Sequence, residues 1–378
     1  MAPQVLFVPY SVAGHVHPVL PVMAELVARG VRVRAVVGGR FVEPVRDCGA
    51  EVVPLAAVPD VFVPDGLGAR AARRLAVGYA RRPLLNGRAA RVLAAELRRD
   101  RPDLVVVDPM LGWADRVVRR SGVPGVLFST TFVWYPAAAA EVVRRSGIGW
   151  TARLQRWRPM VRRHRGRVVL ANSMPVLQPA IEDIDARTHL VGPLVGRPVG
   201  AGASGGRRLY VSPGTVFARG PAFLRRVVEA FAGTSWSVLL ATGHTDPAEL
   251  EPLPRNVSAT RWVDQVAALA RADVFLTHGG MNSVLEALVL GVPMVLAPRS
   301  AEQRCTAERL VAMGVGVPLD AGRLRQTVAA VAEDPEVRTA VGWWRDRLAG
   351  ADGAGRAADL LLAEVSAARR GAVARTAS

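Results

Sequence analysis

Val274-Phe275-Leu276-Thr277-His278-Gly279-Gly280-Met281-Asn282-Ser283 passes from a short apolar run through two glycines into a helical pattern carried by Leu285, Leu288 and Val289. An apolar run without polar alternation suits a strand buried on both faces, as in a parallel sheet covered by helices. The glycines let the backbone approach a ligand at the strand-to-helix turn. The free N–H groups of the first helical turn then attract an anion. Asn282 and Ser283 add side-chain donors, and Glu286, one turn further on, can accept a hydrogen bond from a ribose hydroxyl. The stretch therefore reads as one unit of an open α/β sheet, with a diphosphate cradle at the carboxyl edge of its strand. A plain helix cap explains the glycines and the serine, but not His278 and Glu286 together.

Similar units lie on both sides. Leu209–Val211, Val238–Ala241 and Met294–Ala297 read as strands of the same series. An earlier series reads Val5–Val8, Val31–Val37, Glu51–Pro54, Leu104–Val107 and Gly125–Phe128. Its first helix places Val19, Val22, Met23 and Leu26 on one face, at the spacing of a buried helical stripe. The segment from Asp60 to Asp100 reads as a loop and one or two arginine-rich helices. Between the series, Gly192–Arg208 turns to Gly, Pro, Ala and Ser, which is linker chemistry. Within it, Gly200 to Gly205 matches a dinucleotide fingerprint by letter, yet lacks the strand before and the helix after that the mechanism needs. The expected architecture is α/β: two doubly wound, Rossmann-like domains facing across a cleft. Their spans are 1–195 and 209–365, joined by a linker at 196–208 and followed by a C-terminal tail at 366–378 whose far end is expected to fray.

Composition narrows the function classes. All 49 basic residues are arginine, against 32 acidic ones, for a net charge of +17. The arginines are scattered in ones and twos, and no dense basic block with interleaved aromatics marks a nucleic-acid groove. No apolar run reaches the ~20 residues of a membrane span. The chain enters a strand pattern by Val5 without a basic leader, so a cytoplasmic protein is expected. Cys48 and Cys305 are too few and too far apart for a disulfide framework or a metal cluster. Asp183 and Asp185 lack the further ligands that a divalent-metal site requires and read as solvated turn residues.

The first series ends two strands on chemistry. His15-Val16-His17-Pro18 follows the first strand, and Pro18 suits the first turn of a helix. An imidazole at that edge can act as a general base, or merely cap a turn, with His17 as a second candidate. Asp108 ends the strand Leu104–Val107 on the same edge, where it can orient His15 and stabilise its charged form; capping a helix is the alternative. Phe132, Trp134 and Tyr135 follow Gly125–Phe128 closely enough to line an acceptor pocket, with core packing as the competing reading.

Taken together, these residues resemble family 1 glycosyltransferases of the GT-B fold. The resemblance rests on His278-Gly279-Gly280-Met281-Asn282-Ser283 with Glu286, Gly291-Val292-Pro293, and Pro298-Arg299-Ser300-Ala301-Glu302-Gln303. Trp262-Val263-Asp264-Gln265, Ser212-Pro213-Gly214-Thr215 and the His15 element with Asp108 extend it from Val5 to about Leu319. In look it is nearest to bacterial enzymes that glycosylate macrolides and other natural products. The resemblance implies an inverting transfer from a UDP- or dTDP-sugar to a hydroxyl of a small apolar aglycone, without metal or resident cofactor. His15 would be the base and Asp108 its partner. Trp262 would stack on the nucleobase, with the Val263 backbone at its edge and Gln265 and Glu286 on the ribose. Thr215, His278, Gly280, Asn282 and Ser283 would hold the diphosphate, and Glu302 and Gln303 the sugar. Met281 stands where plant relatives usually carry tryptophan, Asp264 where proline is usual, and Glu302 where aspartate is commoner. A nucleotide-sugar epimerase of the same fold, a transferase acting on a lipid-linked acceptor and a homodimeric state all remain compatible with the sequence.

Overall fold

In the computed structural model the described residues are 2–55, 69–144, 161–195, 207–214 and 220–376, without the side chains of 69–83 and 372–376. The apolar runs form two sheets. The first holds β1 Gln4–Val8, β2 Arg32–Val37, β3 Glu51–Pro54, β4 Leu104–Val107, β5 Gly125–Ser129, β6 Val169–Ala171 and β7 Thr188–Leu190. Their order is β3-β2-β1-β4-β5-β6-β7, all parallel. The second holds β8 Arg207–Ser212, β9 Trp236–Ala241, β10 Val257–Thr260, β11 Val274–Thr277, β12 Met294–Leu296 and β13 Gly316–Pro318. They run β10-β9-β8-β11-β12-β13, again all parallel. Both belong to Rossmann-like domains of the kind the sequence implies.

Burial on both faces explains the unbroken apolar runs. Val5–Val8, Leu104–Val107 and Val274–Leu276 are at most 2% exposed. The helix Leu20–Ala28 turns Val22, Met23 and Leu26 inward, as their spacing predicts. Strands β6, β7, β10 and β13 are absent from the sequence reading; Thr188 and His189 in β7 and Ser258 and Thr260 in β10 break the apolar run by which the other strands are read. Downstream of residue 68, the variable region forms a single helix, Ala69–Arg99.

Two boundaries differ from expectation. Strand β8 begins at Arg207, two residues inside the expected linker, while 196–206, including the Gly200–Gly205 stretch, lie outside the described residues. The helix Gly353–Thr376 crosses back to the first domain, so 353–365 pack on its core rather than simply completing the second domain, and the helix runs on through 366–376. Ala357, Ala358, Leu361 and Val365 join the cluster that contains Val5, Met23, Leu26 and Leu104. Arg369 pairs with Asp103 at 2.8 Å and Arg29 with Asp359 at 2.5 Å along the same seam. At the crossing point, any side chain on Gly353 would collide with the carbonyls of Val191 and Pro193.

Candidate active site

In each sheet the strand order reverses once, between β1 and β4 and between β8 and β11. Ligand crevices of open α/β sheets form outside the carboxyl ends of strands at such points. Val8 and Val107 are register partners, as are Ser212 and Thr277. The residues that follow each pair therefore emerge side by side.

His15 sits in the short helix Ala13–Val16 after β1, and Asp108 follows β4 directly. The His15 Nδ1 lies 2.6 Å from Asp108 Oδ2, while Asp108 Oδ1 accepts the Met110 N–H at 2.8 Å. Both carboxylate oxygens are thus engaged on a residue that is 3% exposed, which fixes the orientation of the imidazole. Thr130, at the end of β5, places its Oγ1 3.1 Å from the same Nδ1. Burial works against a charged ring, but the Asp108 carboxylate and, further off, Glu302 outweigh it and hold the His15 pKa above its ordinary value. His17 packs edge-on to Phe41 at 6.4 Å, and burial together with Arg40 lowers its pKa.

Across the cleft, Gly280 caps the helix Met281–Leu290 without supplying a side-chain acceptor. The N–H groups of the first turn are the ones a helix leaves unbonded. His278 fits between two glycine turns. A Cβ on Gly214 (φ +94°) would meet its ring carbons at 2.9 Å, and one on Gly280 would collide with Nε2. Burial pushes the His278 pKa down to about 4, so the ring is neutral at neutral pH. One turn along, Gln265 Nε2 donates to Ser283 Oγ at 3.0 Å and to Glu286 Oε2 at 2.6 Å, and Tyr210 donates to Gln265 Oε1 at 3.3 Å. Burial raises the Glu286 pKa to about 7.

Trp262 is 46% exposed beside this network, with Val263 half-buried next to it. The guanidinium of Arg40, from the first domain, lies 4.2 Å above the Trp262 ring. Asp264 caps the helix Gln265–Leu269 by accepting the Ala267 N–H at 3.0 Å, which accounts for an aspartate at that position. Glu302 reaches across to the Thr131 side chain, and burial raises its pKa. Gln303 closes a capping box with Ser300. Its Oε1 accepts the Arg299 and Ser300 N–H groups at 2.8 and 3.1 Å, and its own N–H donates to Ser300 Oγ at 3.1 Å. Ser300-x-x-Gln303 is a legible capping signature that the functional reading passed over. Thr215 lies outside the described residues.

The aromatic residues differ from the pocket wall expected of them. Phe132 and Trp134 are 0% and 2% exposed and join an apolar cluster with Met281, Leu285 and Cys305 of the second domain. Tyr135 is partly buried, its hydroxyl 2.5 Å from Thr188 Oγ1. Phe132 and Trp134 pack the domain seam, where Arg309 also pairs with Glu141 at 2.9 Å, while Tyr135 packs within the first domain. The sequence reading missed Thr130, Thr131 and Asn172. Thr130 and Thr131 come just after β5, so the edge argument that selects Asp108 could have found them, whereas Asn172 follows β6, a strand absent from the sequence reading.

Among the described residues no helix is long and apolar enough to cross a membrane. The family model for UDP-glucoronosyl and UDP-glucosyl transferase matches residues 200–334. The chain is 33% identical to the oleandomycin glycosyltransferase of Streptomyces antibioticus over 95% of its own length and 90% of that protein's. It is 29% identical to an NDP-glycosyltransferase of Bacillus licheniformis, covering 92% and 93% of the two chains. The solved calicheamicin glycosyltransferase superposes with a TM-score of 0.73 at 30% identity, covering 97% of this chain and 98% of that one. Paired sheets, a shared cleft and full-length relatives lead to one conclusion: the chain belongs to the family 1 glycosyltransferases of the GT-B fold.

Proposed function

We propose that this enzyme transfers a sugar, with inversion, from a UDP- or dTDP-linked donor to a hydroxyl of a small natural-product aglycone. The observation that carries the reading is the His15–Asp108 pair at 2.6 Å, set opposite the open end of the helix Met281–Leu290. With Nδ1 held by Asp108, His15 takes the acceptor's proton on Nε2. The acceptor oxygen forms its bond to the anomeric carbon as the carbon–phosphate oxygen bond breaks, and the diphosphate leaves with that electron pair. First-turn N–H groups near Gly280 to Ser283 stabilise the departing charge, as preorganised dipoles do. Trp262 stacks on the base, Gln265 and Glu286 hold the ribose, and Glu302 with the Gln303 amide nitrogen meets the sugar. On this reading no divalent metal or resident cofactor takes part, and the reaction runs in the cytoplasm.

The relatives named for oleandomycin and calicheamicin support a natural-product acceptor. The test is a matrix of UDP- and dTDP-sugars against macrolide and aromatic aglycones, read by mass spectrometry with and without EDTA. Donor-dependent glycoside formation that survives chelation supports the reading. Donor epimerisation without acceptor, or product only on lipid-linked acceptors, overturns it.

A further inference from the structure

Asn172 stands directly after β6 and is 1% exposed, yet its side chain joins three parts of the molecule. Its Oδ1 accepts the Leu194 N–H at 3.0 Å, at the exit of the first domain. Its Nδ2 donates to Asn282 Oδ1 at 2.9 Å, on the first turn of the helix Met281–Leu290. Asn282 Nδ2 in turn donates to the Gly14 carbonyl at 2.6 Å, the residue before His15. The fit around Asn172 is tight: a Cβ on Gly192 would lie 2.8 Å from its Oδ1.

Both ends of the Asn282 amide are therefore held by the first domain. Oδ1 faces a donor and Nδ2 faces an acceptor, so the amide has one satisfied orientation. We propose that Asn172 is a positioning residue that closes the two domains by gripping Asn282, and so sets the distance between His15 and the helix end that faces it. The inference rests on the transfer reading for its kinetic arm alone.

The test combines Asn172→Asp, Asn282→Ala and the double variant, with His15→Ala as a control. Asn172→Asp keeps the shape and the acceptor for the Leu194 N–H, but sets an oxygen against Asn282 Oδ1. Expected for each single variant is a kcat loss of about tenfold or more, as misplaced reacting groups produce. In Asn172→Asp, which leaves Asn282 itself in place, the dissociation constant for UDP or dTDP stays within about threefold of wild type while kcat falls. The double variant is no slower than the slower single. Small-angle scattering with UDP bound should show a larger radius of gyration for Asn282→Ala than for wild type; this arm stands even if Asn172→Asp fails to fold. Unchanged kcat and radius in Asn282→Ala, losses that multiply in the double variant, or a lost UDP affinity with kcat kept in Asn172→Asp would overturn the proposal. A wild-type enzyme inert with every donor sinks the transfer reading instead, and the scattering comparison still decides closure.

Discussion

His15 is pulled in two directions, since burial disfavours its charged form while Asp108 and Glu302 favour it, and the carboxylates prevail. A base must be neutral to accept a proton, so activity should rise with pH through a point above the ordinary imidazole value of 6.5. Asp108→Asn removes the largest influence raising that point. The acidic limb of kcat/KM should therefore move to lower pH while kcat falls, because the ring loses its orientation and the partner of its charged form. His15→Ala should cost at least ~100-fold in kcat at all pH values; near-normal turnover would remove it from the mechanism. Glu286 gives a second pH signature. Its folded pKa of about 7 lies above the ordinary 4.5, so the folded chain keeps a proton that the unfolded chain gives up. Stability falls as pH rises through that window. Glu286→Gln should thus gain melting temperature relative to wild type at pH 8 compared with pH 5, by roughly 2 °C or more, while donor affinity drops. Equal shifts at both pH values would show that Glu286 is ionised throughout.

At the scale of elements, the turn between β11 and its helix is built for close approach. Gly279 adopts φ +78°, where a Cβ is strained and would also lie 3.4 Å from the Gln303 carbonyl. Gly279→Ala should cost about 1–2 kcal/mol in denaturant unfolding and weaken UDP binding, since the same turn presents the helix N–H groups. The next helix, Ala301–Ala312, depends on its capping box. Ser300→Ala should cost about 1 kcal/mol and, by releasing Gln303, alter sugar preference more than nucleotide affinity. Calorimetry with UDP alone and with a UDP-sugar separates the two effects.

Across the whole molecule, the domains are tied at both ends of the cleft. The helix Gly353–Thr376 returns to the first domain and covers Met23, Leu26 and Leu104. Ending the chain at residue 352 should therefore destabilise the first domain, a region far away in sequence. Limited proteolysis should cut near the N-terminus of the truncated protein and spare β8–β13; unchanged protection of β1–β5 would refute this. The seam between domains mixes an apolar cluster containing Phe132, Trp134 and Met281 with the Arg309–Glu141 pair and the Asn282–Gly14 bond. Aromatic residues that follow a strand are drawn to this seam because full burial of a large ring outweighs its use as an exposed wall.

What the amino-acid order determined by itself was local and periodic. Apolar runs chose parallel strands, the Met23 stripe chose a helix, and the turn at Gly279–Gly280 chose the start of the next helix. Position at a strand end was enough to pair His15 with Asp108. Tertiary structure alone decided the contacts between residues far apart in the chain: Thr130 on His15, Glu302 on Thr131, Asn172 on Asn282, and the last helix on the first core. None of these leaves a periodic trace, because a hydrogen bond across a cleft depends on how two finished domains meet rather than on the spacing within either one.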